Sequence, residues 1–311
     1  MIHTLLKSFP LGLFSPILGL TIATLTIGTT LIPLPSIALT ASSINPGNLK
    51  VNLSETFTEA QAQTSGAARV TVGNTTIYIG TKQVSANDQN PIVLSYTSGI
   101  QDWFFFHEQT PPDSRGIGLL VDYNGTTINS LYAAFTTDGG STDANGIQRF
   151  TTGGWLNSYG SGGGPYATVL LKLDPNNGNG IAGTFVRSQL SNGNTNTLIP
   201  TGLAFDGSGN VVLKASAYFS PLAVDKTRLD VSGLGSSPFA YTLTLSPNLS
   251  SAISASVGTA TPAPVPFEAD SSLGLFILAG LGGLFHYRRS RGSRKLNGLN
   301  LSTQTPNPQE S

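Results

Sequence analysis

The sequence predicts an all-β fold of repeated four-stranded units, propeller-like in plan, with a two-sheet β-sandwich as the alternative architecture. Three observations carry this. Short alternating apolar runs, bounded by Gly, Asn and Pro, follow one another with almost no 3.6-residue periodicity. Three stretches, 69–108, 117–190 and 201–257, share one plan of four strands. Charged residues make up 10% of the chain against 36 Gly and 19 Pro, well below the ~25% charge usual in soluble domains, so turns and neutral polar surface dominate.

The first unit reads RVTVGN, TIYIGT, PIVLSYTS and DWFFFHE. The second reads IGLLVDYNG, TINSLYAAFTT, PYATVLLKLDP and IAGTFVRSQL, and the third TGLAFDGSG, NVVLKASAYF, PFAYTLTLSP and SSAISASV. Each opens with two strands around a turn, at Gly73-Asn74, Asn124-Gly125 and Gly207-Ser208-Gly209-Asn210. Each resumes after a loop with a proline at the head of a strand, Pro91, Pro165 and Pro238, where a missing N–H removes no ladder bond. Spacing varies between units, so ordinary similarity among hairpins is the competing explanation. One helix is expected, over Ser54–Ala68 with Ser54 as its N-cap, with a loop as the alternative.

Both ends of the chain carry targeting patterns. Over 1–38, His3 and Lys7 precede an apolar stretch from Leu11 to Leu34, and Ser36 and Ala38 are the small residues of a cut after Ala38. That pattern is a secretory signal peptide, a helix read by the Sec translocon, with an uncleaved anchor as the alternative. Residues 39–258 form the exported β domain, and 259–268 a Pro/Ala linker ending in the box Val265-Pro266-Phe267-Glu268. Over 269–295, a glycine-bearing apolar run from Leu273 to Tyr287 meets the cluster Arg288, Arg289 and Arg291. Its fifteen residues would reach roughly 22 Å as a helix, a short membrane crossing with the arginines on the cytoplasmic side. A buried core helix with a solvated basic tail is the alternative. Residues 296–311 form a polar tail.

Box, short glycine-rich apolar helix and arginine cluster together resemble the PEP-CTERM class of exosortase sorting signals. Pro266, Phe267 and Glu268 look most like the Pro-Phe-Glu variant of cyanobacterial surface proteins. The resemblance covers 265–295 and implies that an exosortase-type processing enzyme cuts near the box, followed by release or attachment at the cell surface. Such signals usually stop soon after the basic cluster, whereas here the polar tail follows. A plain C-terminal anchor is the alternative. Separately, residues 202–213, preceded by LLKLDPNNGNG, are similar to the β-propeller repeat of bacterial surface proteins, which implies a blade-like unit.

Several chemistries are disfavoured. Cysteine is absent, so neither disulfides nor thiolate metal sites can form. Residues 39–265 hold ten Lys/Arg and thirteen Asp/Glu with no basic patch, which argues against nucleic acid as a partner. No Gly-x-Ser-x-Gly elbow or P-loop is present. His107 is the domain's one histidine, and strict alternation places it on the face opposite Asp102. The loops 138–146 and 174–180 hold oxygen ligands without EF-hand spacing, and Asp, Asn and Gly also simply make turns. No metal or cofactor is expected. Trp103, Phe104, Phe105 and Phe106 should place two aromatics on each sheet face. Trp155 and Tyr159, with Tyr166, sit in or beside the loop GGWLNSYGSGGGPY, where exposed rings would stack on sugars; Trp155 and Tyr159 are the expected carbohydrate contact. The functional expectation is an exported, non-catalytic surface or matrix protein of the envelope, adhesion or exopolysaccharide layer. A secreted polysaccharide-acting hydrolase and a membrane-anchored carbohydrate-binding module are the alternatives.

Overall fold

The computed structural model describes residues 39–47 and 49–259. Ser36 and Ala38, the box Pro266-Phe267-Glu268, the apolar run and Arg288, Arg289 and Arg291 lie outside the described residues. Among the described residues, no helix is long and apolar enough to cross a membrane.

The described chain is all-β, in open antiparallel sheets. Strand β1 (Leu39–Ile44) comes first, followed by a short helix, α1 (Glu59–Thr64). Each of the three expected units then forms one meander with its strands in chain order. The first sheet is β2 (Ala68–Val72), β3 (Thr75–Ser85), β4 (Asp88–Thr97) and β5 (Ile100–Phe106). The second is β6 (Ser114–Asn124), β7 (Thr127–Thr137), β8 (Ala167–Leu173) and β9 (Gly180–Val186), with β1 added beside β6. After β9 come the two-residue strands β10 (Ser188–Gln189) and β11 (Thr195–Asn196). The third sheet begins with β12 (Leu198–Phe205) and β13 (Val211–Ala217); the short β14 (Ser220–Pro221) pairs with β10 instead. It continues with β15 (Phe239–Leu245) and β16 (Ala252–Thr259).

Alternation explains how the sheets are covered. In the first sheet, Ile77, Ile79 and Val93 enter the main core, while Tyr78, Ile92, Leu94 and Tyr96 point the other way. That second face is roofed by Val51, Leu53, Ala62 and Ala67. Tyr96 Oη donates to Phe57 O at 2.6 Å, and the Tyr78 and Tyr96 rings meet edge to face at 5.8 Å. The second sheet is buried on both faces. From β7, Phe135 stacks against His107 at 4.9 Å, while Tyr132 meets Phe205 of β12 at 5.6 Å and donates from Oη to Pro247 O at 2.6 Å. The second sheet therefore contacts the first unit on one side and the third on the other.

The first and second sheets touch through glycine. A Cβ on Gly116 would lie 2.6 Å from Gly80 O and 2.9 Å from Gly80 N, so no side chain fits between the backbones there. Gly80 is constrained in turn, because a Cβ on it would lie 2.8 Å from Val51 O.

Two local expectations change. The helix spans six residues and its N-cap is Thr58, not Ser54. Thr58 and Gln61 form a capping box, with Thr58 N donating to Gln61 Oε1 at 2.8 Å. Ser54 is taken up by a local turn, where Thr56 N donates to its hydroxyl, and by Glu55, which pairs with Lys82. Pro238 directly precedes β15 and Pro165 stands just before β8, but Pro91 lies inside β4, opposite Thr81. Its carbonyl accepts from His107 N at 3.2 Å, so its nitrogen faces that same side, past the last β5 pair at Phe106. The reciprocal bond to His107 O is the one the proline forgoes, and Arg149 Nη1 donates to that carbonyl at 3.0 Å instead.

Candidate functional site

The register of β4 on β5 slips by one residue. Ser95 pairs with Trp103 and Tyr96 with Gln101, which leaves Asp102 as an extra, bulged residue. Asp102 consequently comes to the same side as Ser95 and Thr97, whose hydroxyls donate to its Oδ2 at 3.0 and 2.8 Å. The bulge overturns the parity that separated Asp102 from His107, because Trp103, Phe105 and His107 also point to this side. Strict alternation could not anticipate it, since a bulge depends on the partner strand. Asp102 and His107 nevertheless serve different partners.

Asp102 and Trp103 line a cleft of about 390 Å³ at the seam of the first two sheets. Thr75, Ser95 and Thr97 line it from the first sheet, and Thr126 and Thr127 from the β6–β7 turn. Pro175 and Asn176 of the β8–β9 turn also border it. Thr75 and Thr97 hydroxyls lie 2.9 Å apart, which continues the hydrogen-bonded chain outward from Asp102.

The Trp103 ring is fixed at its Nε1 edge and, by Gly178, against one face of its six-membered ring. Its Nε1 donates to Pro175 O at 3.1 Å, and its six-membered ring lies against Gly178, where a Cβ would come 2.7 Å from Cε3. Gly178 has φ +74°, so both its backbone and this contact call for glycine. The turn carrying it is closed by Asp174, whose Oδ1 accepts from Asn176 N at 2.9 Å and whose Oδ2 accepts from Asn177 Nδ2 at 3.0 Å. These oxygens, considered above as metal ligands, hold their own turn. Among the described residues, no three acidic or histidine side chains converge on one metal position.

His107 anchors the same turn from below. It is fully buried, and its Nε2 lies 3.0 Å from Gly178 O, which makes Nε2–H the donor. Phe105 and Phe135 flank the ring at 4.9 Å each. Burial, with Arg149 nearby, drives its pKa down to about 3 against the pull of the Gly178 bond, so the imidazole is neutral. The adjacent Glu108 is buried and accepts from Thr110 N at 3.1 Å and Ile147 N at 2.7 Å. Burial raises its pKa while these bonds pull it back.

The rings expected to be exposed are not. Trp155 and Tyr159 are 3% and 4% exposed. Trp155 Nε1 donates to Val224 O at 3.0 Å, and Tyr159 Oη donates to Pro165 O at 2.5 Å. The glycine-rich loop turns its rings inward because each polar tip finds a backbone carbonyl there. Neither ring offers a sugar-stacking face. Tyr166 is half-buried beneath the Arg115 guanidinium, 4.7 Å from its ring centre. The run of four aromatics does divide two and two: Trp103 and Phe105 face inward, while Phe104 and Phe106 pair edge-on at 5.9 Å on the other face. A second cleft, of about 310 Å³, brings Asp122 and Asp206 together with Tyr132 and Phe205. Asp206 is engaged in its own turn, accepting from Asn210 N and Nδ2 at 2.9 Å each.

No family model matches this chain, and comparison with curated proteins and with solved structures likewise returns no match.

Proposed function

We propose that this chain is an exported, non-catalytic cell-surface or extracellular-matrix protein whose β domain binds extracellular polysaccharide in the Trp103 cleft. In this reading the three meanders form an open array of blade-like sheets. The bulge at Asp102 carries the binding assignment, because it sets a carboxylate beside an immobilised indole in a cleft rich in hydroxyls. Sugars need both surfaces: polar groups for their hydroxyls and an aromatic ring for their apolar C–H face. The signal-like residues 1–38 and the sorting-like residues 265–295 support export, exosortase-type processing and transient membrane attachment.

Export is tested by the mass and terminal peptides of the protein recovered from the cell surface of its native host. A chain beginning at Leu39 and ending near Val265–Glu268 is expected. A chain running to Ser311 would leave the box unused and make the segment a plain anchor. Binding is tested by calorimetric titration of the mature protein with oligosaccharides. Trp103→Ala is expected to weaken binding roughly tenfold. Undiminished affinity in a folded variant would sink the assignment.

The hydrolase reading retains one specific observation, the shared cleft of Asp122 and Asp206. Release of reducing ends by the native protein, abolished in Asp122→Asn, would favour it over a binding role.

A further inference from the structure

We propose that the Trp103 cleft selects cationic amino sugars, through Asp102. The inference rests on the reading of that cleft as a glycan site. Among the described residues that line it, Asp102 is the one charged side chain. The directions of the surrounding hydrogen bonds follow from this carboxylate. It can only accept, so Ser95 and Thr97 must both spend their hydroxyl hydrogens on its Oδ2. Thr97 therefore has no hydrogen left for Thr75, and across the 2.9 Å between them Thr75 must be the donor. All three hydroxyl hydrogens are thus committed along one chain that ends on Asp102.

What these groups keep for a ligand is lone pairs. Both bonds to Asp102 fall on Oδ2, so Oδ1 retains its acceptor capacity. A ligand rich in donors fits this arrangement better than one rich in acceptors. A protonated sugar amine offers three N–H donors and a positive charge. The face of the Trp103 ring opposite Gly178 favours the same cation. Uronates and sulfated sugars bring negative charge against Asp102 and are disfavoured by repulsion.

The test titrates the mature protein with three probes of equal length: a fully deacetylated glucosamine oligomer, its N-acetylated counterpart and an oligouronate. The deacetylated oligomer is expected to bind roughly three- to tenfold tighter than the acetylated one at low ionic strength, since the pair is partly solvent-exposed. That margin should shrink as salt is added, and the oligouronate should not bind. Asp102→Asn should erase the margin while leaving the acetylated probe bound, and Trp103→Ala should weaken both. Thermal melts of each variant establish that it is folded, and the acetylated-versus-deacetylated comparison on the unmutated protein decides the question should a variant fail to fold. Equal affinity for the acetylated and deacetylated probes overturns the selectivity and leaves the glycan site standing. A margin that survives Asp102→Asn places the cation elsewhere and overturns the role of the cleft, as does undiminished binding of both probes by a folded Trp103→Ala. Failure of all three probes to bind overturns the glycan site and this inference together.

Discussion

Acidification from neutrality toward pH 3 is expected to cost the β domain several kcal/mol of stability, with His107 as the principal cause. In the folded protein its pKa is about 3, against an ordinary 6.5. Between those values the unfolded chain binds a proton that the folded one refuses, so stability falls as pH falls. The contribution is intact above about pH 6.5 and fully lost near pH 3. The upper limit is roughly 5 kcal/mol, at about 1.4 kcal/mol for each unit of pKa. Glu108 acts with the opposite sign. Its raised pKa lets the folded state hold a proton above 4.5, which favours folding on the acid side and offsets part of the loss. Urea unfolding at a series of pH values checks the balance. His107→Gln can keep a donor for Gly178 O, and it should flatten the slope below pH 6.5 while lowering stability at neutrality. An unchanged slope in the variant would show that the acid sensitivity lies elsewhere.

Gly116→Ala is expected to destabilise the domain by about 3 kcal/mol or more, at the upper end of what overpacking usually costs. The added methyl would meet Gly80 O at 2.6 Å and the Ile79 side chain as well, and backbone cannot rotate away as a flexible side chain can. Relief requires the first and second sheets to part along the seam that also holds the Trp103 cleft. Stability and glycan binding should therefore fall together. Gly207→Ala is the control: no atom lies within 4 Å of its Cβ position, so its melting temperature should barely move. Equal behaviour of the two variants would mean that the sheets do not meet at Gly80 and Gly116.

The contrast between those two glycines shows where sequence reading stops. Both look like turn or strand punctuation in the sequence, yet one faces open space and the other a neighbouring backbone. Burial has the same character. Trp155 follows Gly153-Gly154 and Trp103 stands four residues after the turn glycine Gly99, but Trp155 is sealed by Val224 and Leu249 while Trp103 borders a cleft. Val224 lies 69 residues from Trp155, and nothing local announces the contact.

The three four-stranded meanders, their turns and the charge-poor composition were legible in the sequence alone. Each depends on residues within one hairpin, where alternation and turn chemistry act locally. The tertiary structure alone decided the bulge that joins Asp102 to Trp103, the burial of Trp155 and Tyr159, the glycine contact between sheets and the depressed pKa of His107. Those features arise between strands or between sheets, where the energy of a residue is set by neighbours far away in the chain.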